Sequence, residues 1–83
     1  MNMKKVMISL NYIDRVKAFV EDISRFENDF DLVSGRYVID AKSIMGIFSL
    51  DLSKPLELDI HLNDDSELGP IMEALKPYLT DGE

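Results

Sequence analysis

The apolar and polar positions alternate most regularly between Leu56 and Leu62, where Leu56, Leu58, Ile60 and Leu62 are separated by Glu57, Asp59 and His61. A period of two predicts a strand with its apolar residues on a core and its polar residues facing water. The period changes between Ile13 and Phe26. There Ile13, Val16, Phe19, Val20, Ile23 and Phe26 fall on one side, opposite Asp14, Lys17, Glu21, Asp22 and Arg25. This spacing is that of an amphipathic helix. Asn11 can cap the helix start. Asp14, in the first turn, suits the positive end of the helix dipole.

The remaining elements are shorter. Met3 to Leu10, with Val6, Met7 and Ile8 at its centre, reads as a strand. Phe30 to Val33 and Tyr37 to Ile39 read as the two arms of a hairpin, with Gly35 between them able to take positive φ. Ser43 is placed to cap a second helix ending near Leu50 to Leu52. A last helix, capped by Ser66, points Ile71, Met72, Leu75 and Leu79 inward. Pro70 fits only near its start, and Pro77 distorts or ends it. The order is βαββαβα. It predicts an α+β fold with four strands in one antiparallel sheet and all three helices on one face.

Within this pattern the run from Ala41 to Leu50 stands apart. Ser43 precedes Ile44, Met45, Ile47, Phe48 and Leu50. At about 100° per residue, Ile44, Ile47 and Phe48 share a side while Met45 points elsewhere. A short helix that is apolar around most of its circumference is either wholly buried or carries an exposed apolar patch. A small domain has little room for the first, and exposed patches mark partner sites.

Composition then narrows the chemistry. The 83 residues make room for a single domain, residues 1–83. Nine basic against sixteen acidic residues leave a net charge of −7, which argues against a nucleic-acid footprint. There is no cysteine, so no disulfide framework or thiolate metal site is available. One histidine, His61, adds no zinc site, and its place on the polar side of a strand is that of an exposed structural residue. The glycine spacing matches no phosphate loop. No apolar run approaches a membrane span, and the N-terminal apolar run is too short for a signal peptide. The expectation is a cytoplasmic protein without cofactor or metal, and not an enzyme.

The unbroken run Lys42-Ser43-Ile44-Met45-Gly46-Ile47-Phe48-Ser49-Leu50 resembles the segment around the regulatory serine of HPr, the histidine-containing phosphocarrier of the bacterial sugar phosphotransferase system. The order of elements is similar over nearly the whole chain. The resemblance implies the HPr-like open-faced β-sandwich with strand order 1-4-2-3, which periodicity alone does not choose. It also implies protein partners: a serine kinase, a transcription regulator or phosphotransferase-system enzymes.

The family carries its phosphorylated histidine at the start of the first helix. Alignment back from the central motif, with a one-residue shift allowed around the hairpin, places Tyr12 at that position, Asp14 at the family's arginine and Arg15 at its proline. Moving the register by one places Ile13 and Arg15 at the histidine and arginine positions. Neither register supplies a histidine. A tyrosine hydroxyl, with an ordinary pKa near 10, is a far poorer nucleophile than imidazole at neutral pH. The serine position is retained as Ser43, as in histidine-lacking relatives of the Crh type. Phosphate on an N-cap serine sits at the positive end of a helix. The resemblance thus implies an HPr-like regulatory or interaction module with Ser43 as phosphorylation site. Its partner surface is expected on Ile44, Met45, Ile47 and Phe48, beside Tyr12 and Arg15. The alternatives are a carrier-like component that docks partners without histidine phosphorylation, and a structural homodimer using the same fold.

Overall fold

The computed structural model describes residues 2–80. Its elements are β1 (Asn2–Ile8), α1 (Ile13–Ser24), β2 (Phe30–Ser34), β3 (Tyr37–Asp40), α2 (Ile44–Phe48), β4 (Leu56–Leu62) and α3 (Leu68–Leu75). Single 3-10 turns at Asp65–Glu67 and Lys76–Tyr78 bracket α3. The four strands form one antiparallel sheet in the order β1-β4-β2-β3.

β4 lies inside the sheet, between β1 and β2, which explains why its alternation is the most regular. Leu56, Leu58, Ile60 and Leu62 are buried against Val16, Phe19 and Ile23 of α1, Ile47 of α2 and Ile71 and Leu75 of α3, in one core. The hairpin joining β2 to β3 has Ser34 opposite Tyr37. Gly35 takes φ +59°, the sign a II′ hairpin turn requires at its first loop position. An L side chain there is strained, so glycine is the natural occupant.

Helix boundaries depart from the sequence reading in instructive ways. Tyr12, not Asn11, is the N-cap of α1, and it offers no side-chain hydrogen bond. Before α3, Asp64 takes the capping role expected of Ser66. Its carboxylate accepts the Ser66 N–H at 3.0 Å, while Glu67 reaches back to accept the Asp64 N–H at 3.1 Å. This capping box holds the 3-10 turn from which α3 continues. Pro77 falls in the second 3-10 turn, so the chain leaves the helix before Leu79. Leu79 therefore does not point inward from a helix. It forms a β-bridge with Ile8 and is 38% exposed, while the Thr80 and Ser9 N–H groups bond to the Met7 and Tyr78 carbonyls.

Candidate functional site

The approach to α2 is fixed by four hydrogen bonds. Asp40 Oδ1 accepts the Lys42 N–H at 2.9 Å, and the Ser43 N–H donates to the Asp40 carbonyl at 3.0 Å. The Ala41 N–H bonds to the Phe30 carbonyl at 2.8 Å, with Ala41 itself buried. The Lys42 ammonium donates to the Phe26 carbonyl at 2.7 Å and lies 5.6 Å from the Phe30 ring centroid. Ser43 thus arrives with extended backbone (φ −92°, ψ 101°), as an N-cap needs. Its Oγ accepts the Gly46 N–H at 3.3 Å and its carbonyl accepts the Ile47 N–H at 3.1 Å. The Ser43 side chain remains exposed.

Gly46 sits at a close approach. A Cβ there would stand 3.3 Å from both Ser43 Oγ and Ile39 Cδ1. Ser49 Oγ donates to the Gly46 carbonyl at 2.6 Å, and α2 stops at Phe48, earlier than the apolar run suggests.

The circumference of α2 divides sharply. Ile47 is 0% exposed and belongs to the core, so it is not part of an outer patch; this corrects the sequence expectation. Ile44 is half-buried against that core. Met45 is 75% exposed and Phe48 39%. The reason is angular. Ile47 lies on the inner side of a five-residue helix, and Met45 lies about 200° away from it.

At the start of α1, Tyr12 is 69% exposed and Ile13 is also exposed. Arg15 is turned to the protein's own backbone rather than outward. Its Nε donates to the Ser9 carbonyl at 2.8 Å, its Nη2 donates to the Pro77 carbonyl, and its guanidinium carbon lies 5.4 Å from the Tyr78 ring centroid. Arg15 therefore ties the first turn of α1 to the 3-10 turn after α3. It is a brace beside Tyr12. Tyr78 is buried, packs edge-on against Phe19 and donates its hydroxyl to Asp22 Oδ2 at 2.6 Å. Burial first, and then the Asp22 carboxylate, push the Tyr78 hydroxyl up to about 12.

His61 is on β4 with its side chain on the sheet face away from the helices. Its Nε2 lies 2.8 Å from Asp31 Oδ2, its N–H donates to the Asp29 carbonyl, and its carbonyl accepts Asn28 Nδ2 at 3.0 Å. The buried Asn28 also donates to Glu67 Oε1 at 3.1 Å. Backbone donors at Asn63 and Asp64, and then Asn28, hold the Glu67 carboxyl below the ordinary value. Asn28 has no periodic signal in the sequence; only an asparagine in a short loop between helix and strand hinted at it.

Asp59, expected to face water, is 9% exposed, and its Oδ1 has no hydrogen-bond partner. Burial raises its carboxyl above the ordinary value. Glu57 and, more weakly, Asp31 add to this, while Lys5 opposes it. Among the described residues no cluster of His, Cys, Asp or Glu side chains has the arrangement to hold a metal ion, and no helix is long and apolar enough to cross a membrane.

No protein-family model matches the sequence, and no curated protein matches it. Solved structures do. HPr-C-His from Thermoanaerobacter tengcongensis is 26% identical, with a TM-score of 0.68 over 93% of this chain and 89% of that one. The phosphocarrier protein HPr from Bacillus anthracis str. Ames is 28% identical, with a TM-score of 0.67 over 95% of this chain and 96% of that one. The sheet order, the helices on one face and these likenesses together give the chain the HPr-like fold.

Proposed function

We propose that this protein is a regulatory or interaction module of a bacterial sugar phosphotransferase or carbon-regulation system, and that it carries no phosphoryl group on histidine. The observation that carries the reading is the exposed Met45 beside the exposed, N-capping Ser43. An unbranched, polarisable methionine three-quarters exposed on a short helix suits a hydrophobic partner pocket. A kinase would transfer the terminal phosphoryl group of a nucleoside triphosphate to Ser43 Oγ, breaking the bond to the diphosphate and taking up the hydroxyl proton. The phosphate would then face the first-turn amides of α2 and place charge next to Ile44 and Met45, turning a hydrophobic docking surface into one that favours arginine or lysine.

Two incubations test this. Upstream phosphotransferase enzyme with phosphoenolpyruvate should leave the protein unlabelled, because Tyr12 stands where the resemblance expects the histidine. An HPr-type serine kinase with ATP should add one acid-stable phosphate that is lost in Ser43→Ala. Acid-labile phosphate in the first incubation, or no labelling in the second, defeats the reading. A second reading, docking of phosphotransferase enzymes without phosphorylation, is supported by the exposed Tyr12 and Ile13 at the start of α1. It predicts that Tyr12→Ala weakens competition with authentic HPr for those enzymes.

A further inference from the structure

The sheet has two outer strands, and they are finished differently. β1 carries Lys4 and Lys5, and residues 78–80 meet its end. β3 has no such cover. Its pairing with β2 fixes which of its backbone groups are free. The Ala41 N–H donates to the Phe30 carbonyl, so by the alternation of an antiparallel ladder Ile39 and Tyr37 also bond toward β2. Val38 and Asp40 therefore turn their backbone groups outward. The Asp40 carbonyl accepts the Ser43 N–H, whereas the Val38 N–H and carbonyl have no partner among the described residues.

The side chains of this edge are apolar and uncovered. Val38 is 62% exposed on the open sheet face, and Tyr37 is 69% exposed on the helix side, with Ile39. A cavity of about 270 Å³, lined by Tyr37, Ile39, Ser49 and Leu50, opens beside them. An exposed apolar edge with free backbone groups is a template for a further strand.

Charge decides which strand fits. Let a second β3 run antiparallel to the first, about a two-fold axis through Val38. Val38 then faces Val38, Tyr37 faces Ile39, and Arg36 faces Asp40 of the other copy. Among the described residues Arg36 has no ion pair, and Asp40 accepts only the Lys42 N–H with its side chain. Other registers fit worse. Sliding one strand by two residues sets Arg36 against Lys42, and sliding it by four sets Asp40 against Asp40. Sliding the other way by two sets Arg36 against Val38 and leaves both charges unpaired. Opposite charges across a strand pair stabilise it, and like charges do the reverse.

We infer that the β3 edge is an interface between two copies of this chain, an isologous pair that joins their two four-stranded sheets into one with all the helices on the same side. The Val38 N–H of each copy donates to the Val38 carbonyl of the other. Arg36 and Asp40 form two symmetry-related ion pairs. Tyr37 of each copy lies across Ile39 of the other, at the mouth of the cavity. The contact is short, so the pair exchanges with monomer and depends on concentration. It depends on neither Ser43 nor Met45.

The test is sedimentation equilibrium of the full chain from micromolar to millimolar concentration. The mass should rise toward that of a dimer and stop there, because a two-fold axis closes the assembly. Amide shifts that follow concentration should centre on Val38 and Asp40. In a mixture of labelled and unlabelled chains, isotope-filtered spectra should connect the Tyr37 ring of one copy to the Ile39 methyl groups of the other. Val38→Pro removes an outward N–H that β2 does not use, and should abolish association with the fold retained. Arg36→Glu, at an exposed turn position, sets like charges together twice and should weaken association about tenfold, whether or not Val38→Pro folds. Lys4→Glu on the opposite edge should leave association unchanged. A monomer at every concentration overturns the inference. So does growth beyond a dimer, or association that survives Arg36→Glu or is lost in Lys4→Glu.

Discussion

Replacing Ile47 and Met45 in turn separates the helix face that folds the protein from the face that meets a partner. The two residues are two positions apart on α2, yet Ile47 is 0% exposed and Met45 is 75% exposed. Ile47→Ala removes three buried carbons, worth about 0.8 kcal/mol each on transfer. The residual cavity raises the cost to about 3 kcal/mol. A domain of this size has about 4–12 kcal/mol in total, and each kcal/mol lowers its melting temperature by about 4–8 °C. Ile47→Ala should therefore melt roughly 10–25 °C below the parent. Met45→Ala or Met45→Glu removes side chain that is already in water and should cost about 0.5 kcal/mol or less. Urea denaturation followed by circular dichroism measures both, and an unchanged slope confirms that the unfolded ensembles are comparable. The same samples are then titrated with the serine kinase and with candidate partners. Met45→Glu should fold and fail to dock. Comparable melting losses for Met45 and Ile47 variants would refute the reasoning, because Met45 would then be core.

Ser43→Ala should cost about 0.5–1 kcal/mol, toward the lower end for an N-cap because the bond to Gly46 is long and exposed; Ser43→Asp should be nearly neutral by thermal melts. Tyr78 gives an alkaline signature: its hydroxyl is raised from 10.0 to about 12 in the fold. Stability from that proton is therefore complete below pH 10 and is lost between about 10 and 12, in all about 3 kcal/mol, and a pH series of melts on Tyr78→Phe should lack this step. Asp59 has the opposite place on the pH axis. Its folded carboxyl is raised, so the parent loses stability as pH climbs through that raised value, and Asp59→Asn should gain on the parent toward neutral pH and match it in acid. A neutral-pH loss for Asp59→Asn would mean that the charge is compensated after all.

The sequence shows which face a strand residue occupies more readily than how deeply it is covered. Leu56, Leu58, Ile60 and Leu62 were legible because a period of two is a purely local property. Asp59 was not. Its burial comes from neighbours on β1 and β2 that are remote in sequence, and its position in a central strand depends on the sheet order. The angular division of α2 was likewise beyond a periodicity argument, since five residues make barely more than one turn and do not fix which side faces the sheet. Ser43 was legible because capping chemistry is local. The bracing contacts of Arg15 were not legible, for the opposite reason. Its partners, the Ser9 and Pro77 carbonyls, meet only when the end of the chain folds back over the start of α1.

The position of β1 in the sheet has a consequence for the order of folding. Among the described residues β1 pairs with β4 as its only neighbouring strand, across 52 positions in the Lys5–Glu57 contact, and its far end is met by residues 78–80. The β2–β3 hairpin can close within a few microseconds of leaving the ribosome, since its ends are adjacent. Among the described strands, β1 has no partner near it in sequence and stays unpaired with this sheet until β4 has emerged. Closing that long loop is an entropic cost met before any contact rewards it, and it sets the pace of folding. Through that interval Val6, Met7 and Ile8 form an exposed β-prone stretch, and the lysines at positions 4 and 5 stand next to it as charges that discourage pairing with another chain.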